Sequence, residues 1–142
     1  MSDADDRFAI IATLDRYSEC LDRRDWARLS EVFTEDVDMD FEAWHEQGLA
    51  KVTATIRSYL DGCGPSQHLL GNYRIELDGD QASSRCYCRV MHMGRGAHEG
   101  KTFECWIEYA DDLVRTDAGW RSRRRVARAQ MQQGDPSLLG PG

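Results

Sequence analysis

Apolar residues recur at helical spacing at the start of the chain. Ile10, Leu14, Tyr17 and Leu21 share one face and predict an amphipathic helix over residues 5–21. Asp25 is placed to cap a second, shorter helix running to residue 33, with Trp26, Leu29, Val32 and Phe33 on its apolar face, so that the two form a helical hairpin. Alternation over residues 37–41 reads as a short strand, and residues 53–60 offer a third helix ended by Asp61-Gly62. The period then changes to two. Long strands are expected over residues 68–77, 82–93, 101–114 and 120–131, separated by turns at Asp78-Gly79-Asp80, Gly94-Arg95-Gly96 and Asp117-Ala118-Gly119. Helices followed by a meander give an α+β chain.

Strand parity shows which side chains face inward. In residues 84–92 the even positions Cys86, Cys88, Val90 and His92 share a small, apolar face, while Arg85 and Arg89 lie on the other with Tyr87 and Met91. In the next strand Phe103, Cys105, Ile107 and Tyr109 alternate with Glu104, Trp106 and Glu108. Trp106 blurs this face, and the candidate pocket-lining residues are Phe41, Trp44, Leu69, Val90, Phe103, Cys105 and Trp106, an apolar set suited to a cyclic or aromatic molecule of modest size. Among the arginines of residues 121–128, Arg124 or Arg128 is a candidate to line the pocket mouth and hold an anionic group.

The chain has 142 residues, the size of one domain, with a core over about 5–130. The tail over 132–142 lacks regular signals and is expected to be mobile or to lie over a neighbour. A formal charge of −7 repels phosphate backbones and anionic lipid, which argues against nucleic acid and membrane partners. An acidic N-terminus with no apolar segment after it, and no stretch of membrane-spanning length, point to the cytoplasm. The five cysteines, Cys20, Cys63, Cys86, Cys88 and Cys105, include no Cys-x-x-Cys and sit mostly in apolar segments, as reduced core thiols do. His45 and His98 have acids nearby but no metal-ligand spacing, so no metal is expected.

Asp22 and His68 are the candidate acid–base pair. Asp22 stands where the first helix stops, and a carboxylate there opposes the helix dipole by about 0.3–1 kcal/mol. Either Arg23 and Arg24 neutralise it in solvent, or it orients His68. In the second case the carboxylate fixes one imidazole nitrogen and leaves the other as a base near neutral pH.

The stretch Tyr17-Ser-Glu-Cys-Leu-Asp22-Arg-Arg-Asp25-Trp26-Ala-Arg-Leu29, then Gln67-His68, then Arg89-Val-Met-His92, and a terminal hairpin ending in Asp117-Ala-Gly-Trp120 resemble the SnoaL-like branch of the nuclear transport factor 2-like superfamily. Within it the order and spacing are similar to scytalone dehydratase and bile acid 7α-dehydratase and, more loosely, to hexachlorocyclohexane dehydrochlorinase. The resemblance implies a cone-shaped α+β barrel, with N-terminal helices in the concave face of a curved mixed sheet around a hydrophobic pocket. It puts Asp22 and His68 on the family's Asp–His dyad, His92 on a second pocket histidine and Tyr17 on a pocket tyrosine. It also implies a homodimer or homotrimer. Two departures, Leu21 and Phe41 in place of tyrosines and Cys105 in place of an asparagine, argue against scytalone itself as substrate.

The activity implied is a cofactor-independent lyase of the dehydratase type, with His68 as base, Asp22 as its orienter, and Tyr17 or His92 as acid. The same pocket is compatible with an isomerase, a cyclase, a hydrolase or an aldehyde-releasing carbon–carbon lyase, and the fold also serves non-catalytic binding modules.

Overall fold

The computed structural model describes residues 2–141. Helix α1, Asp3–Asp22, starts at a capping box in which the Ser2 hydroxyl accepts from the Asp5 amide at 3.2 Å and the Asp5 carboxylate accepts from the Ser2 amide at 3.0 Å. Ile10, Leu14, Tyr17 and Leu21 are buried along its length as their spacing requires. Asp6, on the first turn, accepts from both terminal nitrogens of Arg115 and from the Trp120 indole, tying the helix to the sheet.

The second helix of the expected hairpin is a 3-10 segment, Trp26–Glu31, and Phe33 opens strand β1, Phe33–Asp40. Val32, which caps the 3-10 segment, and Phe33, the first residue of β1, are buried where the two elements meet, so their helical spacing reflects a junction rather than one helix. A short strand β2, His45–Gln47, pairs back on β1 and has too few residues to show a period. Helix α2, Leu49–Leu60, begins four residues earlier than the periodicity suggested because Gly48, at φ 97°, makes the entry turn.

Strands β3, Ser66–Asp78, β4, Gln81–Met93, β5, Thr102–Thr116, and β6, Gly119–Gly134, form the meander. The sheet is six-stranded, open and mixed, in the order β2-β1-β6-β5-β4-β3, with β1 and β6 parallel. Helices plus this sheet make the α+β cone. Register carries the parity through: Cys88 lies opposite Ile107, Val90 opposite Cys105 and His92 opposite Phe103, all on the inner face.

Strand β6 breaks that parity twice. Pairing passes from Asp112↔Arg124 to Leu113↔Ser122, and from Trp106↔Met131 to Ile107↔Ala129, leaving Arg123 and Gln130 as extra residues in bulges. Each bulge turns the following side chains over. Arg125 therefore faces the core, whereas Arg124 and Arg128 stay outside; Arg128 pairs with Asp40 at 2.9 Å and Arg124 with Asp38 at 3.6 Å.

The tail, expected to be loose or to cover a neighbour, packs on its own chain. Asp135 receives the Ser137 amide at 2.9 Å and pairs with Lys101 at 3.2 Å, and Leu138 is buried. The Gly62 amide donates to the Gly140 carbonyl and the Gly140 amide to the Tyr59 carbonyl, both at 2.8 Å. A side chain at Gly62 would stand 2.5 Å from the Pro141 carbonyl oxygen.

Candidate functional site

The inner faces of β4, β5 and β6, the end of α1, α2 and the loop after β1 enclose a cavity of about 540 Å³. Its walls are mostly carbon, from Leu21, Ile56, Leu60, Val90, Phe103 and Ile107, with Phe41 and Trp44 stacked at 4.9 Å beside it. Tyr17, Glu42, Tyr59, His68, His92, Tyr109, Cys105 and Gln132 bring polar groups to it, and Leu139 of the tail also lines it.

Asp22 stands behind His68, outside the lining. His68 Nδ1 lies 2.6 Å from one carboxylate oxygen of Asp22, and the His68 backbone amide donates to the other at 2.8 Å. The Ser66 hydroxyl donates to Asp22 at 3.0 Å, and Ser66 itself receives Arg24 at 2.8 Å. Ser66 and His68 sit two apart on β3, so both point to Asp22. Arg24 takes up a left-handed conformation, φ 55°, which lets its guanidinium bond the Leu21 and Gly64 carbonyls. Of the two explanations for a carboxylate at this helix end, the contact with His68 is the one the fold builds. Because a carboxylate only accepts, Nδ1 carries the proton, and Nε2 of the neutral ring is a lone pair.

His92 is a buried neighbour, its ring 6.0 Å from that of His68 and nearly perpendicular to it. Its Nδ1 donates to the Phe103 carbonyl at 3.0 Å. Burial pushes its pKa down to about 4, so the ring is neutral near pH 7. Tyr17 packs edge-on to His68 at 6.3 Å and to Tyr109 at 5.8 Å. Burial raises its phenol, against the opposing pull of Arg125.

Arg125 is the residue that strand alternation missed. It is fully buried, its Nε donates to both oxygens of Asp111 at 3.0 Å, and its guanidinium lies 4.2 Å from the centre of Tyr109 and 4.4 Å from that of Tyr17. Both terminal nitrogens lack hydrogen-bond partners and face aromatic rings instead. Without the bulge at Arg123, parity would have brought its neighbours inward.

Of the pocket candidates, Phe41, Trp44, Val90, Phe103 and Cys105 line the cavity, as do Tyr17, His68 and His92. Leu69 and Trp106 do not. Leu69 alternates with His68 and is 67% exposed, and Trp106 lies outside opposite Arg89, whose guanidinium covers its ring at 5.0 Å. Ser66, Tyr109, Gln132 and Leu139 join the site without having been singled out, Tyr109 alone of these with a sequence signal, its inward parity; Arg24, expected to neutralise Asp22 in solvent, reaches the site through Ser66 instead.

The pocket thiol of Cys105 is pushed up by burial, and burial takes Cys86 to about 12 and Cys88 to about 11, so these groups stay protonated. Among the described residues no group of three His, Cys, Asp or Glu side chains is placed to hold a metal ion. No helix among them is long and apolar enough to cross a membrane.

The profile of the SnoaL-like domain matches residues 2–126. The chain belongs to the SnoaL-like family. An uncharacterised relative, Rv2910c of Mycobacterium tuberculosis, is 34% identical over 128 residues, covering 89% of this chain and 86% of the relative. Among solved structures, the Kfla4162 protein of Kribbella flavida superposes with a TM-score of 0.88 at 21% identity, covering 96% of this chain and 98% of that one. A Novosphingobium aromaticivorans protein provisionally assigned as a scytalone dehydratase gives 0.78 at 22% identity, over 91% and 87%. A hexachlorocyclohexane dehydrochlorinase, LinA Type2, gives 0.80 at 15% identity, over 91% and 88%. At these identities the solved structures show a shared fold. The fold is thus shared with a protein described as a hexachlorocyclohexane dehydrochlorinase.

Proposed function

We propose that this SnoaL-like protein is a cofactor-independent lyase of the dehydratase type, acting on a small cyclic or aromatic substrate. The observation that carries the reading is the double hold of Asp22 on His68, through the ring at 2.6 Å and the backbone at 2.8 Å, beside an apolar cavity.

His68 Nε2 takes a proton from a carbon made acidic by an adjacent carbonyl. The C–H electron pair becomes the new double bond as the C–O bond on the next carbon breaks. The departing oxygen receives a proton from Tyr17, leaves as water, and the proton held on His68 restores the phenol. Asp22 stabilises the imidazolium that forms between the two transfers. Arg125, 4.4 Å from the centre of the Tyr17 ring, favours the transient phenolate. Each positioned acid or base contributes about 10²–10⁴-fold, and water-poor carbon walls strengthen both. His92 is the weaker choice as acid, since its one ring proton is committed to the Phe103 carbonyl.

Incubation of saturated cyclic ketones in D₂O isolates the first step. Deuterium is expected to enter beside the carbonyl at a rate that wild type accelerates and His68→Ala does not. Equal exchange with both proteins would exclude His68 as the base.

A further inference from the structure

The cavity has a closed end and an open mouth. At the closed end the His68 side chain is 5% exposed and Tyr17 and Tyr109 are buried; at the mouth the Glu42 side chain is 54% exposed, and Tyr59 and Gln132 are exposed too. Two backbone irregularities bring polar side chains there. Along β6, Ala127 and Ala129 line the cavity, and the extra residue at Gln130 shifts the pattern so that Gln132, opposite Cys105, lines it as well. In the loop after β1, Glu42 takes the left-handed conformation, φ 60°, with its amide donating to Asp40 at 3.1 Å. Among the described residues Glu42 is the one Asp, Glu, Lys or Arg in the lining. The neighbouring Arg128 keeps its terminal nitrogens on Asp40, at 2.9 and 3.2 Å, and brings only Nε to Glu42, at 3.7 Å, beyond hydrogen-bond reach. The mouth thus carries an incompletely paired carboxylate where sequence had suggested an arginine for an anion. Phe41 and Trp44 stack at 4.9 Å with 3° between their planes, so aromatic faces line the cavity on either side of Glu42 in the loop. Such faces attract cations.

We propose that the cavity mouth is a subsite for a basic amine, in which the ammonium of the substrate is held by the Glu42 carboxylate and the side-chain carbonyl of Gln132, remote from the carbon that His68 deprotonates. The inference rests on the reading of this cavity as the reaction site and adds a charge requirement to its substrate class. An ammonium offers three donors and no acceptor, so it can serve both oxygens at once, whereas a hydroxyl has one hydrogen to give. An anion would meet Glu42 with no free cation to answer it, since Arg125 is engaged by Asp111 and Arg128 by Asp40. The net charge of −7 adds to the negative potential at the entrance. The substrate class that results is a ring bearing an aminoalkyl side chain, with the ring between the carbon walls and the amine at the mouth.

The test uses 2-(2-naphthyl)ethylamine, 2-(2-naphthyl)ethanol and 2-naphthylacetate, which share a ring and differ in the charge of the side chain. Binding to wild type, Glu42→Gln and Gln132→Leu is measured by titration calorimetry at low and at high sodium chloride. The expected result in wild type at low salt is amine binding about 10-fold tighter than alcohol binding, with the carboxylate weaker than either. In Glu42→Gln the preference for amine over alcohol falls to about 2-fold, the share of the aromatic faces, while the affinity for the alcohol stays. High salt shrinks the wild-type preference. Gln132→Leu weakens amine and alcohol alike, because an amide carbonyl accepts from either. Failure of the amine to bind wild type, equal affinity for amine and alcohol, a preference undiminished in Glu42→Gln, or intact amine binding in Gln132→Leu would overturn the proposal. Because the readout is binding, it stands apart from turnover. An amine subsite confirmed in a protein that eliminates nothing would refute the lyase reading alone, and elimination by a protein indifferent to ligand charge would overturn the subsite alone.

Discussion

Asp22 grips His68 at two points, its ring nitrogen at 2.6 Å and its backbone amide at 2.8 Å, so the imidazole is fixed in both tautomer and orientation. Replacing Asp22 with Asn removes the charge that stabilises the imidazolium and permits the wrong tautomer. The expected loss in kcat is about 10²–10⁴-fold, with an unchanged circular dichroism spectrum. Ser66→Ala removes one donor to the same carboxylate, a bond to a charged group contributing about 1.5–3 kcal/mol. Its kcat falls by about 10-fold, between wild type and Asp22→Asn.

His92 makes stability depend on pH in a definite window. Burial holds it to about 4 in the folded protein, against an ordinary value of 6.5. Between those values the unfolded chain takes up a proton that the folded chain refuses, so stability falls as pH drops from about 6.5 to about 4, by on the order of 3 kcal/mol in total. Urea midpoints at pH 7 and pH 4.5 will show this slope in wild type and a flatter one in His92→Phe. Asp6 and Asp135, each held to about 2 by hydrogen-bond donors, work in a separate window below the ordinary carboxylate value of 3.8.

Arg125 and Asp111 are a buried ion pair whose halves need each other. Arg125→Met strands the Asp111 carboxylate in the core and will cost about 3–5 kcal/mol. Joint replacement, Arg125→Met with Asp111→Leu, will regain most of that loss, because an apolar pair of similar bulk carries no desolvation penalty. Chemical denaturation of the three proteins checks this, and a double variant as unstable as the single would mean that the pair is held by packing rather than charge.

The tail is part of the pocket. Leu138→Ala deletes a buried side chain and will destabilise the protein by about 2–5 kcal/mol. Leu139→Ala, at the cavity itself, will raise KM more than it lowers kcat.

Leu69 and Trp106 show how far alternation reads. Inward parity was correct for Val90, His92, Phe103 and Cys105 because β4 and β5 pair without interruption over those residues. Leu69 follows His68 and must take the opposite face, a consequence visible once His68 is placed inward. Arg125 was hidden by the bulge at Arg123, which depends on pairing with a strand ten residues away and leaves no local mark. The oddity of a carboxylate at the end of α1 was legible as an electrostatic mismatch. Its supports, Arg24 and Ser66, come from a left-handed backbone and a strand start that no spacing announces. Leu69→Ser, outside the cavity, will leave turnover unchanged and stability within about 0.5 kcal/mol.

Elimination with His68 as base leaves a mass signature, the loss of one water. Cyclic β-hydroxy ketones incubated with wild type and with His68→Ala, and analysed by mass spectrometry, test it most directly. Wild type is expected to give a product lighter by one water, and the variant none above background. Recovery of every compound unchanged by wild type, or the same product from His68→Ala, would contradict it.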